Sequence, residues 1–139
     1  GLKLGDKVQV MGFTCDAVTD VLTALNCDIV FYDCDAEMRC SNFEILKDTK
    51  LIVCQVSFGV NSLPDSVLVE ARKRGIPVLL DKSLSYGVKD FSESNEVSYP
   101  TVMSFEVSKS ITIGWGGLLI YPKGPERKLF SDYYNKYCK

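Results

Sequence analysis

Short apolar runs recur along the chain at regular intervals. They are Lys7 to Phe13 (KVQVMGF), Asp28 to Asp33 (DIVFYD), Lys50 to Ser57 (KLIVCQVS), Ile76 to Asp81 (IPVLLD), Thr101 to Phe105 (TVMSF) and Leu118 to Tyr121 (LLIY). Most are continuous rather than alternating, as strands covered on both faces of a parallel sheet require. Helical patterns lie between several of them. Asp16 to Leu25 sets Ala17, Val21, Ala24 and Leu25 on one stripe, with Asp16 as the cap and Asn26 as the stop. Pro64 to Arg74 is the clearest helix. Pro64 suits a first turn and Gly75 a C′ stop. Val67, Leu68 and Ala71 form its apolar face, and Arg72, Lys73 and Arg74 favour its negative end. Asn42 to Lys47 reads as one further turn. Pro125 to Tyr137 reads as a closing amphipathic helix, with Leu129, Tyr133 and Tyr137 four apart.

The order β-α-β-(α)-β-α-β, followed by two strands and a helix, predicts an α/β fold. The expected architecture is a three-layer sandwich around a mostly parallel sheet, with the last strand antiparallel. Ser83 to Pro100 is polar and weakly patterned, so it is expected to be a long loop. No repeat, low-complexity tract or interdomain linker interrupts the pattern.

Composition narrows the function. The 139 residues are 46% hydrophobic and carry a net charge of −2. That balance lacks the concentrated basic surface of a nucleic-acid binder. No apolar run approaches the length of a membrane span. Histidine is absent, which excludes Ser-His-Asp and Cys-His catalysis and every His-containing zinc site within the chain. No Cys-x-x-Cys pair occurs among Cys15, Cys27, Cys34, Cys40, Cys54 and Cys138. Free thiols in a reducing cytoplasm are therefore expected. No Gly-x-Gly-x-x-Gly follows the first strand and no Walker A sequence occurs, which argues against an unrelated flavodoxin-like or Rossmann-like nucleotide binder.

Ligands of open α/β sheets collect outside the carboxyl ends of the strands. Asp81 closes one such strand, and Ser104 and Lys109 follow another. Gly114, Gly116 and Gly117 precede the last. Taken singly, each is ordinarily a cap, a solvated cation or a turn.

Their order carries more weight. The segment Ser104-Phe105-Glu106-Val107-Ser108-Lys109, continuing through Thr112 to Gly116-Gly117, resembles the Schiff-base segment of the DegT/DnrJ/EryC1/StrS sugar aminotransferases. These are fold-type I enzymes dependent on pyridoxal phosphate (PLP). Gly5-Asp6-Lys7-Val8, Phe13-Thr14 with Ala17, Asp28 to Asp33, Thr49 to Val53 and Gly75 to Asp81 resemble further family segments in the same order. The resemblance runs from about Gly5 to Tyr121.

It implies that Lys109 forms the imine link to PLP and later carries the substrate α-proton. It implies that Asp81 pairs with the pyridinium nitrogen and that Ser104 binds the cofactor phosphate. Gly116 and Gly117 would allow close backbone approach. The implied reaction moves an amino group from an amino acid, with glutamate the expected donor, to a keto group of a nucleotide-linked sugar. Polysaccharide biosynthesis in the cytoplasm is the expected setting, and a homodimer the expected assembly. Related 3-dehydratases carry histidine in place of the lysine, so Lys109 argues against that branch.

Several positions depart from the pattern. Cys15 stands where an aromatic ring commonly stacks on the pyridine, and Leu84 where Asp-x-x-Gln supplies a polar contact. Lys82 replaces a small residue and Trp115 a polar one. The phosphate-cradling turn would precede Gly1 and a small domain would follow Lys139. Residues 1–139 are thus expected to be a partial large domain, and the isolated chain to bind PLP weakly or not at all. The alternative is a non-catalytic α/β remnant kept for binding or dimerisation.

Overall fold

The computed structural model describes residues 1–87, 99–121 and 126–137. Its elements in chain order are β1 (Lys7–Met11), α1 (Asp16–Ala24), β2 (Asp28–Tyr32), β3 (Thr49–Ser57), β4 (Val60–Asn61), α2 (Asp65–Lys73), β5 (Val78–Leu84), β6 (Thr101–Ser104), β7 (Gly117–Ile120) and α3 (Glu126–Tyr137). The main sheet runs β2-β1-β3-β5-β6-β7, and β4 pairs with β3. All neighbours from β2 to β6 are parallel, whereas β6 and β7 are antiparallel. This is the mostly parallel sheet expected, with its last strand reversed.

The strand alternation builds two cores. Val8, Val10 and Val53 face Leu22 of α1. Met11, Ile52, Cys54, Val78 and Leu80 face Val67, Leu68 and Ala71 of α2. Residues one apart thus feed opposite faces, as the pleat requires. Both faces of β3 are covered, which explains its continuous apolar run.

α2 stops where Gly75 predicts, with a left-handed φ of +67° just beyond the C-cap Arg74. Pro64, expected in the first turn, stands one position earlier, at the N-cap with extended backbone, and Asp65 opens the helix. Arg74 also bonds Glu70 one turn back, at 2.8 Å.

Four expectations need correction. First, the sheet-facing side of α1 is Val18 and Leu22, not the stripe of Ala17, Val21, Ala24 and Leu25. Val21 is 60% exposed and Leu25 47%. Two apolar stripes overlap on this helix, and the sheet takes the one carrying Leu22. Asp16 does not cap it either, because Cys15 holds the N-cap position without a side-chain bond.

Second, Asn42 to Lys47 makes no helical turn. Gln9 of β1 takes the backbone groups a helix would use. Its Nε2 donates to the Glu44 carbonyl at 2.9 Å, and its Oε1 accepts from Leu46 N at 3.1 Å. Thr49 Oγ1 also donates to Gln9 Oε1, at 2.9 Å.

Third, the loop expected from Ser83 begins later. β5 continues through Leu84, because Leu84 still pairs with Ser57 past a register shift. Residues 88–98 of that stretch lie outside the described residues.

Fourth, β4 was not expected. Phe58 and Gly59 take φ of 53° and 88° and turn the chain back onto β3. Two positive φ values suit a tight hairpin.

Pro125, Cys138 and the side chains of Leu129 and Tyr137 also lie outside the described residues. No described helix is long and apolar enough to cross a membrane.

Cys15, Cys27, Cys34, Cys40 and Cys54 carry free thiols. Burial pushes the Cys54 thiol up from 9.0 to about 11. The folded chain therefore keeps a proton that the unfolded chain loses first. The resulting stability is fully present below pH 9 and is lost as pH rises through about 11. The urea midpoint is expected to fall across that window. Cys54→Ala is expected to reduce the slope without abolishing it, because burial also raises Cys27, Cys34, Cys40 and Tyr32. An unchanged slope in the variant would refute the assignment to Cys54.

Candidate functional site

The strand order reverses direction once. From β1 the chain passes through α1 to β2 on one side, then returns to β3 on the other. The crevice outside the carboxyl ends of β1 and β3 is the switch point, where parallel sheets open a natural ligand site. A cavity of about 220 Å³ lies there, lined by Phe13, Thr14, Cys15, Gln55, Asp81, Ser83, Leu84 and Lys109.

Each wall comes from a different element. Phe13, Thr14 and Cys15 form the turn between β1 and α1. Gln55 sits between Cys54 and Val56 in the buried part of β3 and pairs in register with Asp81 of β5. Asp81 is 5% exposed, and its Oδ1 accepts from Ser83 N at 2.9 Å. The carboxylate is thereby fixed inside β5 and does not close the strand as expected, because β5 runs three residues further to Leu84.

Lys109 reaches the cavity from the turn after β6. Its backbone N donates to the Glu106 carbonyl at 2.9 Å, which closes that turn. Glu106 is held below the usual carboxylate range by the Ser108 hydroxyl, with the Lys109 ammonium contributing. Two further backbone bonds close the segment between β6 and β7 on itself. Phe105 N donates to the Gly116 carbonyl at 2.9 Å, and Ile113 N to the Phe105 carbonyl at 3.1 Å.

Asp81 and Lys109 thus share one cavity. Ser104 does not line it. It lies in an adjoining crevice that shares Ser83, Leu84 and Lys109, and its Oγ accepts from Glu106 N at 3.5 Å. Cys15 and Leu84, the two departures expected to matter, both line the cavity, and Phe13 brings an aromatic ring to it. Trp115 is 78% exposed and takes no part. Gly117 is needed for close packing, since a Cβ there would lie 2.7 Å from the Met103 carbonyl oxygen.

Gln55 escaped the sequence reading, because a glutamine within an apolar run reads as strand interior. The available signal was its place two residues before the strand's polar end at Ser57.

Three buried polar atoms in or beside the cavity are unpaired. Thr14 Oγ1, Gln55 Oε1 and Ser57 Oγ are buried without a hydrogen-bond partner among the described residues. Thr14 and Gln55 line the cavity, and Ser57 lies two residues beyond Gln55 on the same face of β3. Buried polar atoms are nearly always paired, so this cluster calls for polar partners from outside the chain, water or ligand. The cavity offers a buried carboxylate, a primary amine, and Phe13 and Leu84 as apolar walls.

No family model matches the chain. Solved structures do. A 3-amino-5-hydroxybenzoic acid synthase superimposes with a TM-score of 0.78 at 23% identity, over 99% of this chain and 38% of its own. NtdA from Bacillus subtilis, with bound cofactor PMP, gives 0.73 at 20% identity, over 89% and 29%. DesV from S. venezuelae, in complex with a ketimine intermediate, gives 0.70 at 18% identity, over 100% and 39%. The fold is therefore that of a fold-type I α/β aminotransferase fragment, and the chain spans well under half the length of these structures.

Proposed function

We propose that this chain is the central part of the PLP-binding large domain of a sugar aminotransferase of the DegT/DnrJ/EryC1/StrS type. The observation that carries the reading is the meeting of Asp81 and Lys109 in one cavity at the switch point of the sheet. The cofactors and intermediates seen in NtdA and DesV support it. The orphan polar atoms around the cavity support a polar aromatic occupant.

When bound, PLP supplies an electron sink for the carbanion formed at the amino-acid substrate. The chain's own residues supply the rest. Lys109 offers the amine that attaches the cofactor and carries a proton at Nζ between substrate atoms. Asp81 holds a protonated ring nitrogen, and its burial strengthens that pairing. Ser104 offers a hydroxyl to the phosphate from the adjoining crevice. The amino group passes from an amino acid, glutamate in this reading, to the keto group of a nucleotide-linked sugar in polysaccharide biosynthesis.

The enzyme in this reading is a cytoplasmic homodimer. Ile113 is 74% exposed and Trp115 78%, and the four residues of β7 are all exposed. So much apolar surface near the site supports cover by more polypeptide or by a second copy. Cys15 and Leu84 are what favour the alternative, a non-catalytic remnant used for binding or dimerisation.

One experiment separates the two. The polypeptide encoded by the intact gene is incubated with PLP, reduced with borohydride and mapped by peptide mass spectrometry. A pyridoxyl adduct on Lys109 is the expected result. An adduct elsewhere, or none, would refute the catalytic reading.

A further inference from the structure

We infer that Cys34 and Cys40 form a redox-active dithiol that closes to a disulfide by exchange with a small oxidised thiol such as glutathione disulfide. The inference does not depend on what fills the cavity beside Asp81.

The two cysteines flank a closed turn. Asp35 N donates to the Arg39 carbonyl at 2.9 Å. Asp35 Oδ1 braces the same turn from inside, accepting from Glu37 N at 2.9 Å and from Arg39 N at 3.0 Å. Met38 takes a φ of 62°, which lets the chain reverse within these few residues. Cys34 and Cys40 stand directly outside the closure, each joined to it by one peptide bond. Residues that face each other across a reversal lie about 4.5–5.5 Å apart at Cα, within the roughly 4.4–6.8 Å that a disulfide spans. Their backbones are held as well. Cys34 N donates to Asp33 Oδ1 at 2.8 Å, and Cys40 N to the Ser62 carbonyl at 2.7 Å.

The side chains share one setting. Both pack half-buried against the core around Tyr32 and Leu63, and both line a cavity of about 480 Å³ at the carboxyl end of β2. Burial pushes the Cys40 thiol up most, and the neighbouring Cys34 thiolate adds to the rise. The other described thiols stand elsewhere. Cys54 is fully buried and faces Ser62 Oγ, Cys27 packs on the opposite core, and Cys15 is exposed at the start of α1.

The exchange balances with one co-reactant. One cysteine thiolate attacks a sulfur of glutathione disulfide, whose S–S bond breaks, and a glutathione thiolate leaves. The second cysteine thiolate attacks the mixed disulfide and expels the other glutathione. The two cysteines lose two electrons and two protons, and both glutathiones leave reduced. The new bond ties down the segment that brings Asp35 and Arg39 to the cavity.

The test equilibrates the intact protein with reduced and oxidised glutathione. Mildly alkaline pH is used, since burial and the nearby Asp33 and Asp35 carboxylates raise the Cys34 thiol. Free thiols are blocked with N-ethylmaleimide, and the protein is digested with trypsin without reduction. Trypsin cuts after Arg39, so a closed pair leaves the Val8–Arg39 and Cys40–Lys47 peptides joined, and fragmentation locates the bond at Cys34. The pair is expected to close at an oxidised-glutathione level about 10²-fold below the level that caps Cys40 in Cys34→Ser, because its partner thiol is held in place. The closed protein is expected to melt above the reduced one, whereas oxidation leaves the melting point of Cys34→Ser unchanged. Capping of Cys40 at the same level in wild type and variant would overturn the inference. So would a bond from Cys40 to any other cysteine, or a closed form that melts below the reduced one, since the native positions would then not suit the bond. Should Cys34→Ser fail to fold, Cys34→Ala takes its place, and the peptide map of the wild type decides the pairing without either.

Discussion

Replacing Lys109 with alanine in the intact protein is expected to lower amino transfer by about 10²- to 10⁴-fold from the lost proton transfer alone. Loss of covalent attachment adds to that. The half-buried side chain stands on a turn held by backbone bonds, so the fold should tolerate the change. Single-turnover kinetics with an amino-acid donor, beside a melting curve, separate the two effects. A variant that folds like wild type and turns over within tenfold of it would remove Lys109 from the chemistry.

The second large effect is expected at Gly117. Alanine there would place its Cβ 2.7 Å from the Met103 carbonyl oxygen, a distance real Cβ atoms do not reach. The obstacle is backbone, so β7 itself must move away from β6. Overpacking of this kind costs about 1–3 kcal/mol. β6 and β7 pair from Thr101↔Ile120 to Ser104↔Gly117, and the segment joining them carries Lys109. Gly117→Ala is therefore expected to lower the urea midpoint and to speed proteolysis between Phe105 and Gly116. It should also slow labelling of Lys109 by PLP and borohydride. An unchanged midpoint would mean that the edge strand accommodates the methyl group at no cost.

Most of the fold was legible because its cause is local. Strands buried on both faces read as continuous apolar runs, and α2 announces itself through Pro64 and Gly75. Lys109 was legible as a polar residue beyond a strand end and Asp81 as the first polar residue after an apolar run, although its strand runs on to Leu84, and the resemblance gave both their roles. What stayed hidden depends on distant partners or on overlapping signals. The side-chain clasp that replaces the turn at Asn42 to Lys47 comes from Gln9, more than thirty positions upstream. The β4 hairpin was masked because Phe58, a ring-bearing residue, takes a positive φ. The buried side of α1 was ambiguous because two apolar stripes compete on nine residues. Gln55 was hidden because its meaning depends on its neighbour across the register, not on its own stretch of chain.

The strand order has a consequence for how the chain assembles. Each parallel pairing joins distant segments, Lys7 with Asp28 and Ile52 with Val78, whereas the β3–β4 hairpin joins near neighbours. Local hairpins close within microseconds, and non-local parallel pairings are slow. The cavity draws its walls from the end of β1, from β3, from β5 and from the turn after β6. It comes into being only when the slowest pairings are complete. Ligand capture would therefore report the end of folding and could not guide its early steps.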